Sequence, residues 1–139
     1  MAQSKAVSAR YLGESGEREG KKAEMFSVNF ENGITGIYQL IKDNWYPFHF
    51  TVMTTKNTYT FGVDLSELYG SLLKEISKQL TTGSSRLADT ETLINCTQAM
   101  LCGKKSKEVY HGGEVTIDIL EASDKFDGYE FEAEYGAKA

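Results

Sequence analysis

Between Phe48 and Leu80 the apolar residues change their repeat from every second position to every third and fourth. Phe48, Phe50, Val52 and Thr54 alternate with His49, Thr51, Met53 and Thr55, the pattern of a half-buried strand. Lys56-Asn57 reads as a two-residue turn, and the return strand sets Tyr59, Phe61 and Val63 on one face. That turn pairs Thr54 with Tyr59, Val52 with Phe61 and Phe50 with Val63. Such aromatic and β-branched neighbours contribute about 0.2–1 kcal/mol each. Asp64 then reads as a helix N-cap, with Glu67 completing a capping box. Leu65, Leu68, Leu72, Ile76 and Leu80 form an apolar stripe that Tyr69 and Leu73 widen, and Gly83 marks the end of the helix. Gly70 costs a helix about 1 kcal/mol against alanine, which implies close approach to a sheet or to another subunit.

Upstream, Phe26, Val28 and Phe30 alternate with Ser27, Asn29 and Glu31. Asn32-Gly33 is the clearest hairpin signal in the chain, because a type I′ turn needs two residues that tolerate positive φ. The resulting register sets Phe30 opposite Thr35, Val28 opposite Ile37 and Phe26 opposite Gln39. Tyr38 then projects from an otherwise small and polar face. Trp45-Tyr46-Pro47 forms an aromatic corner before the next strand. The sequence therefore predicts an α+β fold: an antiparallel sheet of four or more strands, covered on one face by the amphipathic helix (ββββα), with a second helix and a C-terminal hairpin. The open face would carry Tyr38, His49, Thr51, Met53, Thr55, Thr58 and Thr60.

The remaining segments are less patterned. Residues 1–5 are expected to be disordered, and Val7, Ala9 and Tyr11 alternate as in a short strand. Residues 13–22 (GESGEREGKK) contain no apolar side chain and read as a mobile loop. They fail the phosphate-binding pattern G-x-x-x-x-G-K-[ST], since Ser15 stands at the first glycine and Lys22 at the Ser/Thr, so nucleotide binding is rejected. Asp89 or Thr90 caps a second helix that runs to about Leu101, with Leu93, Ile94, Thr97, Met100 and Leu101 on one face and Gly103 as its stop. Residues 109–111 and 114–120 read as a hairpin about Gly112-Gly113, with Val115, Ile117 and Ile119 inward. Residues 122–139 form an acidic-aromatic C-terminal segment. There Tyr129, Phe131, Ala133 and Tyr135 interleave with Glu130, Glu132 and Glu134, as in an edge strand or a peptide that docks on another protein.

The length of 139 residues suits one domain spanning 1–139. Most of the 16 aromatics lie between Phe26 and Tyr69. The N-terminus lacks a signal-peptide core and no run is long enough to span a membrane, so a cytoplasmic location is expected. Cys96 and Cys102 have no metal-ligand spacing and read as buried free thiols. Neither His49 nor His111 has the local nucleophile or carboxylate pattern of a catalytic site, so no enzyme activity, no metal and no cofactor is expected. The net charge of −5 is unevenly spread: residues 1–107 carry 13 basic and 11 acidic side chains, and residues 108–139 carry two and nine. A mildly basic body with an acidic end points to an anionic partner for the body and a separate role for the tail.

Unpaired bases want flat aromatic platforms, and their backbone wants basic side chains along the rim. Tyr38, Trp45, Tyr46 and His49 are the candidate platforms. Arg18, Lys21, Lys22, Lys42, Lys56, Lys104, Lys105 and Lys107 are the candidate phosphate contacts. Phe126, Tyr129, Phe131 and Tyr135 are the candidate protein-binding residues. The strand order followed by a helix over residues 25–80 resembles the unit of PUR, Whirly and related single-strand binders. The basic body with an acidic end is similar to single-stranded-DNA-binding proteins whose tails recruit partners, and the whole layout resembles a small phage-encoded protein that binds single-stranded DNA and assists an RNA polymerase. The resemblance implies a non-enzymatic, homo-oligomeric single-stranded-DNA-binding protein that meets a polymerase or another replication or transcription protein. The rivals are a protein-binding module, such as a phage inhibitor or nucleic-acid mimic, and a self-assembling structural subunit.

Overall fold

The computed structural model describes residues 4–18, 21–41, 48–62 and 65–136, without the side chains of residues 17, 18, 21, 130, 131, 134 and 135. The chain divides into two compact units: Met1–Lys42 with Thr90–Ala139, and Asp43–Asp89. One domain was expected from length alone.

The first unit holds a four-stranded antiparallel sheet. Its strands are β1 (Ala6–Arg18), β2 (Lys21–Phe30), β3 (Thr35–Ile41) and, after two further strands in the chain, the short β6 (Val115–Thr116), in the order β3-β2-β1-β6. The expected loop at residues 13–22 is thus mostly the extended end of the β1–β2 hairpin. Backbone pairing tolerates charged side chains where both faces of a ribbon meet water. Gly13, at φ 108°, sits at one of the register shifts that bend this hairpin.

The helix that covers the sheet is α2 (Thr90–Glu108), which packs on β1. The core beneath it consists of Ala6, Ala9, Val28, Ala99, Cys102 and Val115, with Phe30, Ile117 and Leu120 packed around. Its contact face is built from the small residues Ala99, Cys102, Gly103 and Ser106, whereas Leu93, Ile94 and Met100, expected inward, are exposed. Gly103, expected as the helix stop, is interior to α2. A Cβ there would lie 3.2 Å from the Phe26 ring, so the missing side chain lets the helix axis approach the sheet. Ser106 ties the layers together: its hydroxyl accepts from the Tyr11 N–H at 2.9 Å and donates to the Gly113 carbonyl at 2.5 Å. Asn95 does the same at the other end, bonding both the N–H and the carbonyl of Ala6.

The β2–β3 turn lies where Asn32-Gly33 places it, but its loop has three residues. The Phe30 N–H donates to the Ile34 carbonyl and the Gly33 N–H to the Phe30 carbonyl, with Gly33 at φ 81°. One residue of positive φ suits a type I turn closed by a bulge. The register slips by one as a result, and Tyr38 faces Phe26 while Ile37 faces Ser27.

The expected C-terminal hairpin is replaced by other structure. Residues 109–113 form a tight turn with His111 and Gly112 at positive φ, and β6 then pairs with β1 before a 3₁₀ turn at Ile117–Ile119. The acidic-aromatic segment is helical: α3 spans Gly128–Gly136. Asp127, just before it, accepts the Tyr129 N–H at 2.9 Å through Oδ1, an N-capping bond.

The second unit contains the strands β4 (His49–Met53) and β5 (Thr58–Gly62) and the helix α1 (Leu68–Thr82). Gly83 closes α1 in the left-handed conformation, its N–H donating to the Gln79 carbonyl. Asp64 lies outside the described residues. Glu67 stands at the N-cap position without a side-chain bond to the backbone. No residue of α1 is buried, and it does not pack on the β4–β5 hairpin as a cover. Among the described residues a Cβ on Gly70 would meet only the Glu67 side chain, at 3.5 Å, so the sheet of the single chain does not account for that glycine. The α+β class and the helix-covered four-stranded sheet are as predicted, but β1, β6 and α2 supply what had been assigned to β4, β5 and α1.

Candidate nucleic-acid interface

The candidate residues are divided between the two units. Lys42, Trp45 and Tyr46 lie outside the described residues. Arg18 and Lys21 face each other as backbone partners at the end of the β1–β2 hairpin. Lys22, nearby, pairs with Glu14 at 3.0 Å. Tyr38 belongs to the first unit, on β3, and is half exposed; His49 and Lys56 belong to the second, on β4 and in the β4–β5 loop.

The basic cluster at the end of α2 is engaged by carboxylates. Lys105 donates to Asp124 at 2.7 Å, and that bond is the chief reason its pKa is raised. Lys107 donates to Glu24 at 2.8 Å with the same consequence. Lys104 lies 3.7 Å from Glu108 and 5.9 Å from the centre of the Phe126 ring. The three cations suit the helix dipole, and each lies beside an acid. The sequence signal that identified them, three lysines in four positions, carries no information about acids that arrive from β2 or from residue 124.

The β4–β5 hairpin has the geometry that single-strand binding asks for, on a face the sequence had assigned to the core. Its register is Phe50 opposite Phe61 and Val52 opposite Tyr59. Thr54 accepts the N–H groups of Lys56 and Asn57 on its hydroxyl and bonds the Asn57 carbonyl, which stabilises a four-residue loop. Lys56-Asn57 contains no glycine to supply positive φ, so the two-residue turn gives way to this longer one. The shift is by two residues and leaves the faces unchanged. The rings of Phe50 and Phe61 stack with centroids 4.8 Å apart at 20°, and Tyr59 extends the row at 6.5 Å and 23° from Phe61. All three, with Phe48, are exposed. The other face carries His49, Thr51, Met53, Thr58 and Thr60, where the hydroxyls of Thr51 and Thr60 lie 3.1 Å apart.

Phe50, Tyr59 and Phe61 thus form an exposed aromatic row that the sequence reading had placed inward. A signal for them exists: from Asn44 to Val63 the chain contains no Asp or Glu, though its net charge is −5. Of the candidate protein-binding residues, Phe126 lies by Lys104, and Tyr129 in the first turn of α3 is 85% exposed; Phe131 and Tyr135 are on α3 with side chains outside the description. Among the described residues no group of His, Cys, Asp and Glu is arranged to hold a metal, and no described helix is long and apolar enough to cross a membrane. Comparison of the chain with protein-family models, with curated proteins and with solved structures yields no match.

Proposed function

We propose that the protein binds single-stranded DNA without catalysing a reaction, and that the β4–β5 hairpin is the contact surface. The observation that carries this reading is the exposed row of Phe50, Phe61 and Tyr59 in a stretch without a carboxylate. Bases stack on such rings with about 1–3 kcal/mol each. Lys56 in the loop and the flanking threonine hydroxyls offer contacts to the sugar-phosphate chain. In this reading the protein acts in the cytoplasm, and Tyr129 on α3 offers an apolar contact to a polymerase or another replication or transcription protein.

Titration with a fluorescent oligo-dT tests it. Binding should weaken as salt rises. Phe61→Ala should reduce affinity by about 5- to 150-fold, the equivalent of one stacked base, and Lys56→Glu should reduce it while leaving thermal stability unchanged. No binding by micromolar protein at low salt would refute the reading. A protein-binding module is favoured by a different observation, the carboxylate pairing of Lys104, Lys105 and Lys107; it expects no DNA binding under any of these conditions.

A further inference from the structure

β3 is the outer strand of the four-stranded sheet, and among the described residues no strand lies on its free side. Edge strands of monomeric proteins are protected from pairing with other chains by charges, proline, bulges or a covering loop. β3 has none of the sequence devices: from Gly33 to Ile41 (GITGIYQLI) there is no charged residue and no proline. Its pairing with β2 from Asn29–Thr35 to Ala23–Ile41 runs without a register shift. Apolar side chains are exposed on both of its faces, Ile37 and Ile41 on one and Tyr38 and Leu40 on the other, with Ile37 68% exposed.

The hairpin geometry fixes which backbone groups are free. Phe30 and Ile34 form a hydrogen-bonded pair at the turn. In an antiparallel ladder such pairs alternate with open ones, so Gly36, Tyr38 and Leu40 bond to β2. The N–H and carbonyl groups of Thr35, Ile37, Gln39 and Ile41 therefore point away from the sheet.

We infer that β3 is a homodimer seam, pairing antiparallel with β3 of a second copy about a two-fold axis at Tyr38. In that register Thr35 meets Ile41 of the copy and Ile37 meets Gln39, so all four outward residues are bonded. A register centred on Ile37 would leave Ile41 outside the ladder. The uncharged strand meets no like charge when it faces itself, which a two-fold axis requires. The area is of the right order: the exposed surface of Ile34, Ile37, Tyr38, Leu40 and Ile41 is on the order of 500 Å², against the ~800 Å² per partner of a stable interface, and the strand backbone adds to it. The product is a continuous eight-stranded sheet. This inference does not depend on DNA binding and is tested without DNA.

Sedimentation velocity of the full chain over a range of concentrations should show a dimer. Ile37→Lys places an ammonium in the seam at a residue that the single chain leaves exposed, and should weaken self-association at least about a hundredfold with an unchanged circular dichroism spectrum. Gln39→Pro removes an outward N–H and no bond to β2; it should act in the same direction, and it decides the matter if Ile37→Lys fails to fold. In a Cys96→Ser background, Tyr38→Cys should give a disulfide-linked dimer on mild oxidation and Ile34→Cys should not. A monomeric wild type overturns the inference. Slow amide exchange at Thr35, Ile37, Gln39 and Ile41 in that monomer would mean that another segment of the same chain covers the edge. A dimer that persists in both Ile37→Lys and Gln39→Pro, or Tyr38→Cys that does not cross-link, also overturns it.

Discussion

Lys107 reaches from α2 across to β2, donates to the Glu24 carboxylate at 2.8 Å, and sets its ammonium 5.7 Å from the centre of the Tyr11 ring. Glu24 is a buried acid, and Lys107 is only partly exposed. The pair links the covering helix to the sheet at the same place where Ser106 bonds Tyr11. It is a structural contact, and this is why a lysine that looks like a phosphate ligand in the sequence is better understood as part of the first unit's packing.

Lys107→Met should accordingly destabilise the protein. Removing the cation takes a charge-assisted bond from a carboxylate held away from water, a change worth about 2 kcal/mol. Urea denaturation monitored by circular dichroism measures it. The affinity for oligo-dT should stay within about twofold of wild type, because the lysine's charge is already matched. A large loss of DNA affinity with unchanged stability would return Lys107 to the interface.

Ser106 is fully buried and uses its hydroxyl both as acceptor and as donor. Ser106→Ala strands the Tyr11 N–H and the Gly113 carbonyl together, so a loss of about 2–3 kcal/mol is expected from the same denaturation measurement. Ser106→Thr, which keeps the hydroxyl but adds a methyl group in a close-packed layer, should also destabilise, by about 1–3 kcal/mol.

The sequence made those turns and caps legible in which a glycine supplies a positive φ, because they depend on a few local residues. Gly83 ends α1, and Gly33 supplies the positive φ of the β2–β3 turn. Period alone located β4, β5 and α1, but it could not say what lies against them. A leucine stripe records that a helix has an apolar side, not that the sheet beside it in sequence is its cover. The opposite error occurred in α2, where small residues form the buried face. Ala99, Cys102, Gly103 and Ser106 do not look like a core in a hydropathy reading, yet they suit a helix pressed closely on β1. The surroundings of the candidate lysines were hidden in the same way. Three neighbouring lysines are visible in sequence, while Asp124 and Glu24 reach two of them, Lys105 and Lys107, only in the fold.

The two cysteines should differ sharply in reactivity. Cys96 is exposed, and Cys102 is buried under α2, where desolvation and then the nearby Asp124 push its pKa up to about 11. One thiol per chain should therefore react quickly with a disulfide reagent in the native state, and the second only on unfolding. Two thiols reacting at the same rate in the folded protein would contradict the packing of α2 on the sheet. Cys96→Ser should abolish the fast phase.

Stability should be highest from about pH 5 to about pH 8.5. On the acid side, Glu114 is held below the usual carboxylate range by the Ser8 hydroxyl and then the Asn29 amide, and Asp124 by the Glu121 N–H and then Lys105. A depressed carboxylate contributes stability above its unfolded pKa of about 4, and that contribution is lost as pH falls through the lower folded value. On the alkaline side three groups are raised. The Cys102 thiol contributes fully below its unfolded value of about 8.5, and its contribution is lost on the way to about 11. Lys105 and Lys107, raised by Asp124 and Glu24, follow above about pH 10.4. Urea midpoints measured across the pH range should fall at both ends. Glu114→Gln should flatten the acid limb, and Cys102→Ala should remove the part of the alkaline limb that begins near pH 8.5. A wild-type midpoint that rises between pH 5 and pH 3 would mean that Glu114 and Asp124 are not held by these donors in solution.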